Sequence, residues 1–272
     1  MKFIFVILML GLQAYAYNYG NYKENLEACK NGNAKRCNDL AGIYLRGNFR
    51  DNIREDEKQA QYYYDMSLEL YEKYCNKGNG KACFDLAEKY NGMRWNIDQN
   101  LSMMAKYHEK SCELGYGKGC NELGASYKRG HGVNKDKEKS NKYYQKALLL
   151  YDKECTKGIG QSCDWLGTIY SVGLYTKQNK IKANEYNIKA FEIYREECSR
   201  NDAEGCYQLA YAYLTGEGVS RDYDNAKINF EKSCKLGESS SCHEAKSVDR
   251  RKIIDAEMEE RIKKMIKSGK YK

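Results

Sequence analysis

Twelve cysteines are the residues of this sequence whose type and spacing could most readily support chemistry. In the stretch CELGYGKGC, residues 112–120, two cysteines enclose seven residues, three of which are glycine. Such a pair could supply half of a metal site, form a redox-active loop or close a disulfide bond. The choice among these chemistries depends on how often the stretch recurs.

The spacing recurs in every part of the chain, because all twelve cysteines belong to pairs that enclose seven residues. The pairs are Cys29 with Cys37, Cys75 with Cys83, Cys112 with Cys120, Cys155 with Cys163, Cys198 with Cys206 and Cys234 with Cys242. The first five pairs open the pattern C-x-x-G-x-x-x-x-C-x-x-L-[AG]-x-x-Y, with Asn201 in place of its glycine once, and a further glycine follows the tyrosine. An internal repeat of this kind sets the architecture of the whole chain.

Each repeat predicts two helices. In the fourth copy Leu166, Gly167 and Tyr170 share one face at helical spacing, and Gly173 predicts the end of this first helix, helix A. A polar loop follows, and a second helix, helix B, then runs to the next cysteine. Residues suited to N-capping stand at its predicted starts: Asp56, Asn100, Asp136, Asn179 and Asp222. An aromatic or imidazole ring lies four residues before the next cysteine: Tyr71, His108, Tyr151, Tyr194 and Phe230.

The uneven repeat length indicates which helix varies. Successive first cysteines lie 46, 37, 43, 43 and 36 residues apart, whereas helix A keeps a constant length. The longer repeats carry seven extra residues between the N-cap and the next cysteine. Seven residues make almost two helical turns, so helix B can lengthen without rotating its apolar face.

A residue able to adopt a left-handed conformation follows each first cysteine by three positions. Glycine holds this position after five of the six first cysteines, and Asn201 holds it after Cys198. The chain therefore turns tightly there, which brings each pair of cysteines into bridging range. The alternatives, zinc or an iron cluster, typically use C-x-x-C spacing or added histidines, and the chain has three histidines. We expect six disulfides, no metal and no cofactor.

The first residues resemble a secretory signal peptide. Lys2 precedes an apolar run of about ten residues, and Ala14-Tyr15-Ala16 matches a cleavage site. A membrane span, the alternative, needs roughly twenty apolar residues. We therefore expect export to the periplasm or secretion, where disulfides persist.

These motifs are similar to Sel1-like repeats, relatives of tetratricopeptide repeats, and their cysteine spacing resembles the Helicobacter cysteine-rich protein family, also called the Hcp beta-lactamase family. The resemblance covers about residues 22–245. It implies an all-α fold, a right-handed α/α solenoid of disulfide-stapled helix pairs. It also implies penicillin binding and weak beta-lactamase activity in some members, and host or envelope partners in others.

The predicted organisation is a signal peptide over 1–16, an N-terminal cap over 17–37 with a helix near 21–30, five helix-pair repeats over 38–242, and a capping helix with a basic tail over 243–272. In the last segment Ile254, Met258, Ile262 and Ile266 follow one helical face and predict a cap for the array. Residues 246–272 hold ten basic and five acidic residues, +5 of the formal charge of +8. A solvated tail is one interpretation, and weak contact with an anionic surface is the other.

Candidate binding residues lie on helix A. The position before its leucine holds Asp39, Asp85, Glu122, Trp165 and Gln208. Trp165, with Tyr207 and Tyr211 on the next helix A, could anchor a protein or peptide partner, or a peptidoglycan-derived or beta-lactam ligand. The alternative for Trp165 is local packing against a long helix B. Trp95 is interpreted as an anchor of its own loop. Nucleic acid is not expected as a partner of an exported chain.

The sequence contains none of the usual catalytic motifs of beta-lactamases. No serine precedes a lysine by three residues, and neither S-D-N nor K-T-G occurs. The three histidines lie in different repeats, and the cysteines are assigned to bridges. The favoured function is therefore a non-catalytic binding scaffold, and the alternative is a weak hydrolase of beta-lactams with unknown catalytic residues.

The absence of these motifs predicts slow beta-lactam hydrolysis at most. Efficient turnover needs a nucleophile beside a base, or a metal-activated water, together with donors for the oxyanion. Nitrocefin hydrolysis by the purified mature chain, measured against a preparation lacking the protein, tests this expectation. A specificity constant near 10⁶ M⁻¹ s⁻¹, in the usual range of about 10⁴–10⁸ for evolved enzymes, would contradict the scaffold hypothesis.

Overall fold

A computed structural model describes residues 22–48, 51–91 and 100–268, and within these ranges the chain forms twelve helices. Their bounds are α1 Tyr22–Lys30, α2 Ala34–Arg46, α3 Glu57–Asn76, α4 Gly80–Lys89, α5 Leu101–Glu113, α6 Gly117–Arg129, α7 Lys137–Thr156, α8 Gly160–Val172, α9 Lys180–Ser199, α10 Ala203–Thr215, α11 Tyr223–Lys235 and α12 Ser239–Lys267. The described residues contain no strand and only one isolated bridge, between Asn48 and Ile53.

The helices alternate as the sequence predicts. The A helices are α2, α4, α6, α8 and α10, and the B helices are α3, α5, α7, α9 and α11. Each A helix packs on the B helix that follows it and on the helix that precedes it, so contacts connect neighbours along the chain. This arrangement confirms the α/α solenoid, in which stability comes from adjacent units rather than from one central core.

The predicted N-caps start all five B helices. In each case the Asn or Asp side chain accepts a hydrogen bond from the backbone N–H three residues later, at 2.9–3.0 Å. The backbone N–H of each capping residue donates to the carbonyl of the tyrosine that ends the repeat pattern, as from Asp136 to Tyr127 at 3.0 Å. The same tyrosine ring stacks on a helix B tyrosine in four repeats, as Tyr127 does on Tyr143 at 5.5 Å. The loop between the paired helices is therefore fixed at both ends.

Helix B accounts for the variation in repeat length. Helices α3, α7 and α9 have 20 residues, whereas α5 and α11 have 13. The difference is the seven-residue insertion predicted from the cysteine spacing. The ring four residues before each cysteine is buried in the long and the short helices alike, so the insertion keeps this face in phase.

All six predicted disulfides are present, and no cysteine is free. Their Cα–Cα distances are 4.4–4.9 Å, and each bridge joins the last turn of one helix to the first turn of the next. The bonds join Cys29 to Cys37, Cys75 to Cys83, Cys112 to Cys120, Cys155 to Cys163, Cys198 to Cys206 and Cys234 to Cys242. This pairing agrees with the sequence-based prediction at every cysteine.

The chain reverses between the two cysteines of each bridge through a left-handed residue. Gly158, with φ +83°, and Asn201, with φ +62°, are examples. The predicted role of the glycine, and of the asparagine that replaces it once, is confirmed. A set of six disulfides indicates an oxidising, extracytoplasmic environment.

The C-terminal helix caps the array differently from the expectation. Ala245 and Val248 of α12 are buried against α11, and ion pairs such as Lys227–Asp249, at 2.6 Å, add to the contact. The predicted capping stripe lies beyond these contacts and is exposed: Ile254, Met258, Ile262 and Ile266. Fourfold spacing identified an amphipathic face, but these four residues remain exposed because no described helix covers them.

Several sequence-based expectations fall outside the described residues. They concern the signal peptide at 1–16, the loop anchor Trp95, the closing Gly92 and the last residues of the basic tail. The N-terminal helix, expected near 21–30, is α1. Among the described helices none has the length and hydropathy needed to cross a bilayer.

Removing one staple tests how far the solenoid depends on it. Replacing Cys112 and Cys120 together by alanine should lower the free energy of unfolding by about 3 kcal/mol, because a short closed loop no longer limits the unfolded chain. Urea unfolding followed by circular dichroism measures this change, with the oxidised parent chain as the control. An unchanged midpoint would show that helix packing alone holds the reversal between α5 and α6.

Candidate functional site

Other helices leave one face of each A helix partly exposed, and these faces are here called the A-helix surface. It includes the residue two positions after each second cysteine, which is half-buried in all five repeats: Asp39, Asp85, Glu122, Trp165 and Gln208. A half-buried side chain of this kind is held by its neighbours and still reaches a partner. The predicted positions are thus partly accessible on the A helices.

Trp165 packs on the helix that precedes it. Its ring lies nearly parallel to that of Tyr151 on α7, with centroids 6.3 Å apart and planes 13° apart. Tyr151 is buried in the core of the third and fourth repeats. One face of Trp165 therefore serves packing, as the alternative interpretation of the sequence proposed, while the residue remains partly exposed.

Tyr207 and Tyr211 form a separate aromatic group. Their centroids are 4.9 Å apart, and both rings meet Phe230 of α11 edge to face, at 5.7 and 5.2 Å. No ring contact among the described residues joins them to Trp165. The two tyrosines contact each other on α10, whereas Trp165 stacks on Tyr151.

A cavity of about 160 Å³ lies between α8, α9 and α10 on the A-helix surface. Tyr211 forms part of its wall. Its polar lining comes from Asp164, Asn187, Tyr194, Gln208, Thr215 and Glu217. Ala190, Phe191 and Ala212 complete the wall with apolar atoms. The cavity thus combines two carboxylates with two phenols and the ring of Phe191.

Asp164 is the electrostatically unusual group of this cavity. Burial, with a smaller contribution from the charge of Glu217, raises the pKa of Asp164 to about 6. Among the described residues, none donates a hydrogen bond to the Asp164 carboxylate and no cation lowers its pKa. Displaced titration of a group in a cleft is a common property of functional sites.

Tyr194 provides a second unsatisfied group. Its side chain is 5% exposed, and its hydroxyl has no hydrogen-bond partner among the described residues. Burial, followed by the charges of Asp164, Glu197, Glu204 and Glu217, raises the pKa of Tyr194 above its usual value. The phenol therefore stays protonated, and its hydroxyl retains one donor and one acceptor without a partner among the described residues.

Sequence reasoning missed Asp164 and Tyr194 as a pair. Tyr194 was predicted only as a ring of the repeat pattern, and Asp164, directly after the second cysteine, was not predicted as a site residue. That position holds Asn38, Phe84, Asn121, Asp164 and Tyr207. The single acid in the series is a signal that the sequence contained.

The histidines lie where packing and solvent were expected. His108 is buried, stacks on Phe84 at 5.4 Å and contacts Glu88 through Nε2 at 3.2 Å. This hydrogen bond lowers the pKa of Glu88. His131 and His243 are both exposed. In the described part of the chain no group of His, Cys, Asp or Glu has the arrangement of a metal site.

Stapled helix pairs with a partly exposed A-helix surface define a helical repeat scaffold. The chain belongs to the Sel1 repeat family, whose model matches residues 37–72, 80–116, 117–152, 160–192 and 203–238. These matches cover more than half of the sequence and coincide with the five helix pairs. No curated protein matches the chain.

Three solved structures illustrate the similarity. Cysteine-rich protein B of Helicobacter pylori is 31% identical over 56% of this chain and 98% of its own, with a TM-score of 0.29. A Sel1 repeat protein from Oxalobacter formigenes is 19% identical, over 81% of this chain and 86% of its own, with a TM-score of 0.39. The immunity protein Pa5087 from Pseudomonas aeruginosa is 16% identical, over 80% and 74%, with a TM-score of 0.42.

The displaced titration of Asp164 predicts a pH-dependent stability. A carboxyl whose pKa is raised from 3.8 to about 6 on folding favours the folded state when it is protonated. Stability is therefore lost as pH rises through the interval between these values. We expect Asp164→Asn to be more stable than the parent by about 1–2 kcal/mol at pH 7, with the difference vanishing near pH 4.

Urea unfolding at pH 4, 5, 6 and 7 measures this difference. Glu192→Gln, an equal change of charge on an exposed residue of α9, is the matched control. A less stable Asp164→Asn variant at pH 7 would mean that the carboxylate makes a stabilising contact.

Proposed function

We propose that this protein is an exported, non-catalytic binding scaffold whose A-helix surface holds a protein or peptide partner. The observation that carries the proposal is the half-buried state of Trp165, Tyr207 and Tyr211 on two successive A helices. Aromatic side chains held in this way can bury a large area on binding at little cost in conformational entropy. Sel1 repeat proteins generally mediate protein–protein interaction, which agrees with this assignment.

Preorganisation supports the same proposal. Disulfides join each helix B to the next helix A, N-caps start every helix B, and tyrosine stacks connect the paired helices in four repeats, all before any partner arrives. A surface ordered in advance loses less entropy on binding than a flexible one. The cleaved signal peptide and the delivery to periplasm or exterior belong to the proposal, and the six disulfides support them because such bonds persist in those compartments.

The first experiment identifies the partner and then measures the interaction directly. The mature, oxidised chain is immobilised, exposed to envelope and host fractions, and the retained protein is purified. The affinity of that purified protein for the soluble chain is then determined by calorimetry. Retention without measurable affinity in solution would remove the proposal.

Replacing Trp165 by alanine tests the anchor role. If the indole is an anchor, the free energy of binding to the identified partner should become less favourable by about 2 kcal/mol, because a buried aromatic contact is lost. The melting temperature should change little, because the indole is only partly buried. Tyr62→Ala, which removes an exposed ring from the B helix α3, is the control and should leave affinity unchanged.

The opposite result would assign Trp165 to packing. A large fall in melting temperature with unchanged affinity would mean that the stack on Tyr151 is the role of this residue. The same pair of measurements on Tyr207→Phe and Tyr211→Phe separates a contribution of their hydroxyls to binding from that of the rings.

A further inference from the structure

The cavity beside Asp164 occupies a place that the first three repeats fill with their own side chains. Two positions define this place. One is the residue directly after the second cysteine, which is Asp164 in the fourth repeat. The other is the ring four residues before the next cysteine, which is Tyr194. Repetition of the fold permits a comparison at equivalent positions within one chain.

In the first repeat an ammonium group occupies the place. The equivalent residues are Asn38 and Tyr71. Lys89 of α4 donates from Nζ to Oδ1 of Asn38 at 2.9 Å, and Nζ lies 5.7 Å from the centroid of the Tyr71 ring. The chain thus holds a lysine side chain between these two positions with a hydrogen bond and a cation–π contact.

In the second and third repeats aromatic rings fill the place. Phe84 and His108 are the equivalent pair in the second, and their rings stack. In the third, Tyr175 reaches back from the loop after α8, stacks on Tyr144 and donates its hydroxyl to Oδ1 of Asn121 at 2.8 Å. Trp165 covers the equivalent ring there, that of Tyr151.

The fourth repeat lacks each of these fillers. Ala212 stands six residues after Cys206, just as Lys89 stands six residues after Cys83. Asn187 stands where the third repeat has Tyr144, Gly218 where it has Tyr175, and Gln208 where it has Trp165. The result is the cavity, lined by an acid where the first and third repeats have asparagine.

We propose that this cavity receives the ammonium group of a lysine side chain presented by the partner protein. The proposal rests on the proposed scaffold function and names the chemistry that one part of the A-helix surface recognises. The incoming ammonium group would donate to Asp164 and to the hydroxyl of Tyr194, and its bond to Asp164 would take the place of the hydrogen bond that Lys89 makes to Asn38 within the chain.

The size of the cavity and its charges agree with this occupant. A volume of about 160 Å³ holds roughly five water molecules at about 30 Å³ each, which is room for one side chain. The charged group that faces Asp164 from the loop after α10 is Glu217; α9 contributes Tyr194 and α10 contributes Tyr211 and Gln208. Glu197 and Glu204 add negative potential around Tyr194. The charged groups around Asp164 and Tyr194 are thus all carboxylates, so the cavity favours a cation over a neutral or anionic group.

The experiment uses the full mature chain and a short peptide probe. Acetyl-Gly-Lys-Gly-amide is titrated into ¹⁵N-labelled protein at pH 7, and the matched probe carries Nε-acetyl-lysine. We expect shifts at Ala190 and Ala212 with the lysine peptide and at least about tenfold weaker binding of the acetylated one, since hydrogen bonds to charged groups are the stronger kind. Between pH 7 and pH 5 the affinity should fall roughly tenfold, because protonation of Asp164 removes the negative charge.

Variants assign the effect to the cavity. Asp164→Asn should weaken binding of the lysine peptide about tenfold, and Tyr194→Phe should weaken it to a smaller extent. Ala212→Lys should abolish binding, because the new side chain can fill the cavity as Lys89 does in the first repeat. Glu192→Gln removes one negative charge from an exposed position of α9 outside the cavity lining and should leave binding unchanged. Melting curves confirm that each variant is folded.

The titration of Asp164 itself gives a readout that needs no variant. Its pKa, followed through the side-chain carboxyl resonance, should fall when the lysine peptide is added and should not change with the acetylated peptide. Equal binding of both peptides, or full binding by Asp164→Asn, would overturn the proposal. If the identified partner still binds in that case, the scaffold function stands and only the lysine site is removed. If the lysine peptide binds but no partner protein is retained, the proposed scaffold function is contradicted while the lysine site stands.

Discussion

The reversal of the chain after each B helix is the constraint on which the rest of this structure depends. Within eight residues the backbone must leave one helix, pass through a left-handed residue and begin the next helix beside it. A glycine or asparagine makes the reversal sterically possible, and the disulfide then restricts the conformations available to the unfolded chain. Every A helix starts from such a reversal, so its orientation is set before it contacts anything further along the array.

Because covalent bonds fix the reversal, the length of helix B and the surface residues of helix A can differ between repeats. Helix B changes from 13 to 20 residues without disturbing the next repeat, because both cysteines and the buried ring before them keep their relation. The A-helix surface changes even more, from Lys89 in one repeat to Ala212 in another at the same position. A solenoid that depended on a large central core could not vary its surface and its helix length so independently.

The contrast between fold and site explains what the sequence could predict. The cysteines, the N-caps and the left-handed positions are each determined by residues close in sequence, so spacing alone gives them. The cavity depends on side chains from three helices and on fillers that are absent, such as a counterpart of Tyr175. The exposed stripe at Ile254 was misassigned to capping for a related reason, since periodicity identifies an apolar face but does not show whether another helix reaches it.

The comparison between repeats also bears on how a scaffold acquires a binding site. At the place beside Asn38 the chain satisfies its own polar group with Lys89, and beside Asn121 it does so with Tyr175. At Asp164 it supplies the stronger acceptor and no donor from the described residues, so the folded state retains a carboxylate that burial penalises. An unsatisfied group of this kind is costly in a purely structural repeat, where asparagine would fit the same position. Its presence is therefore better explained by a group that arrives from outside the chain than by packing.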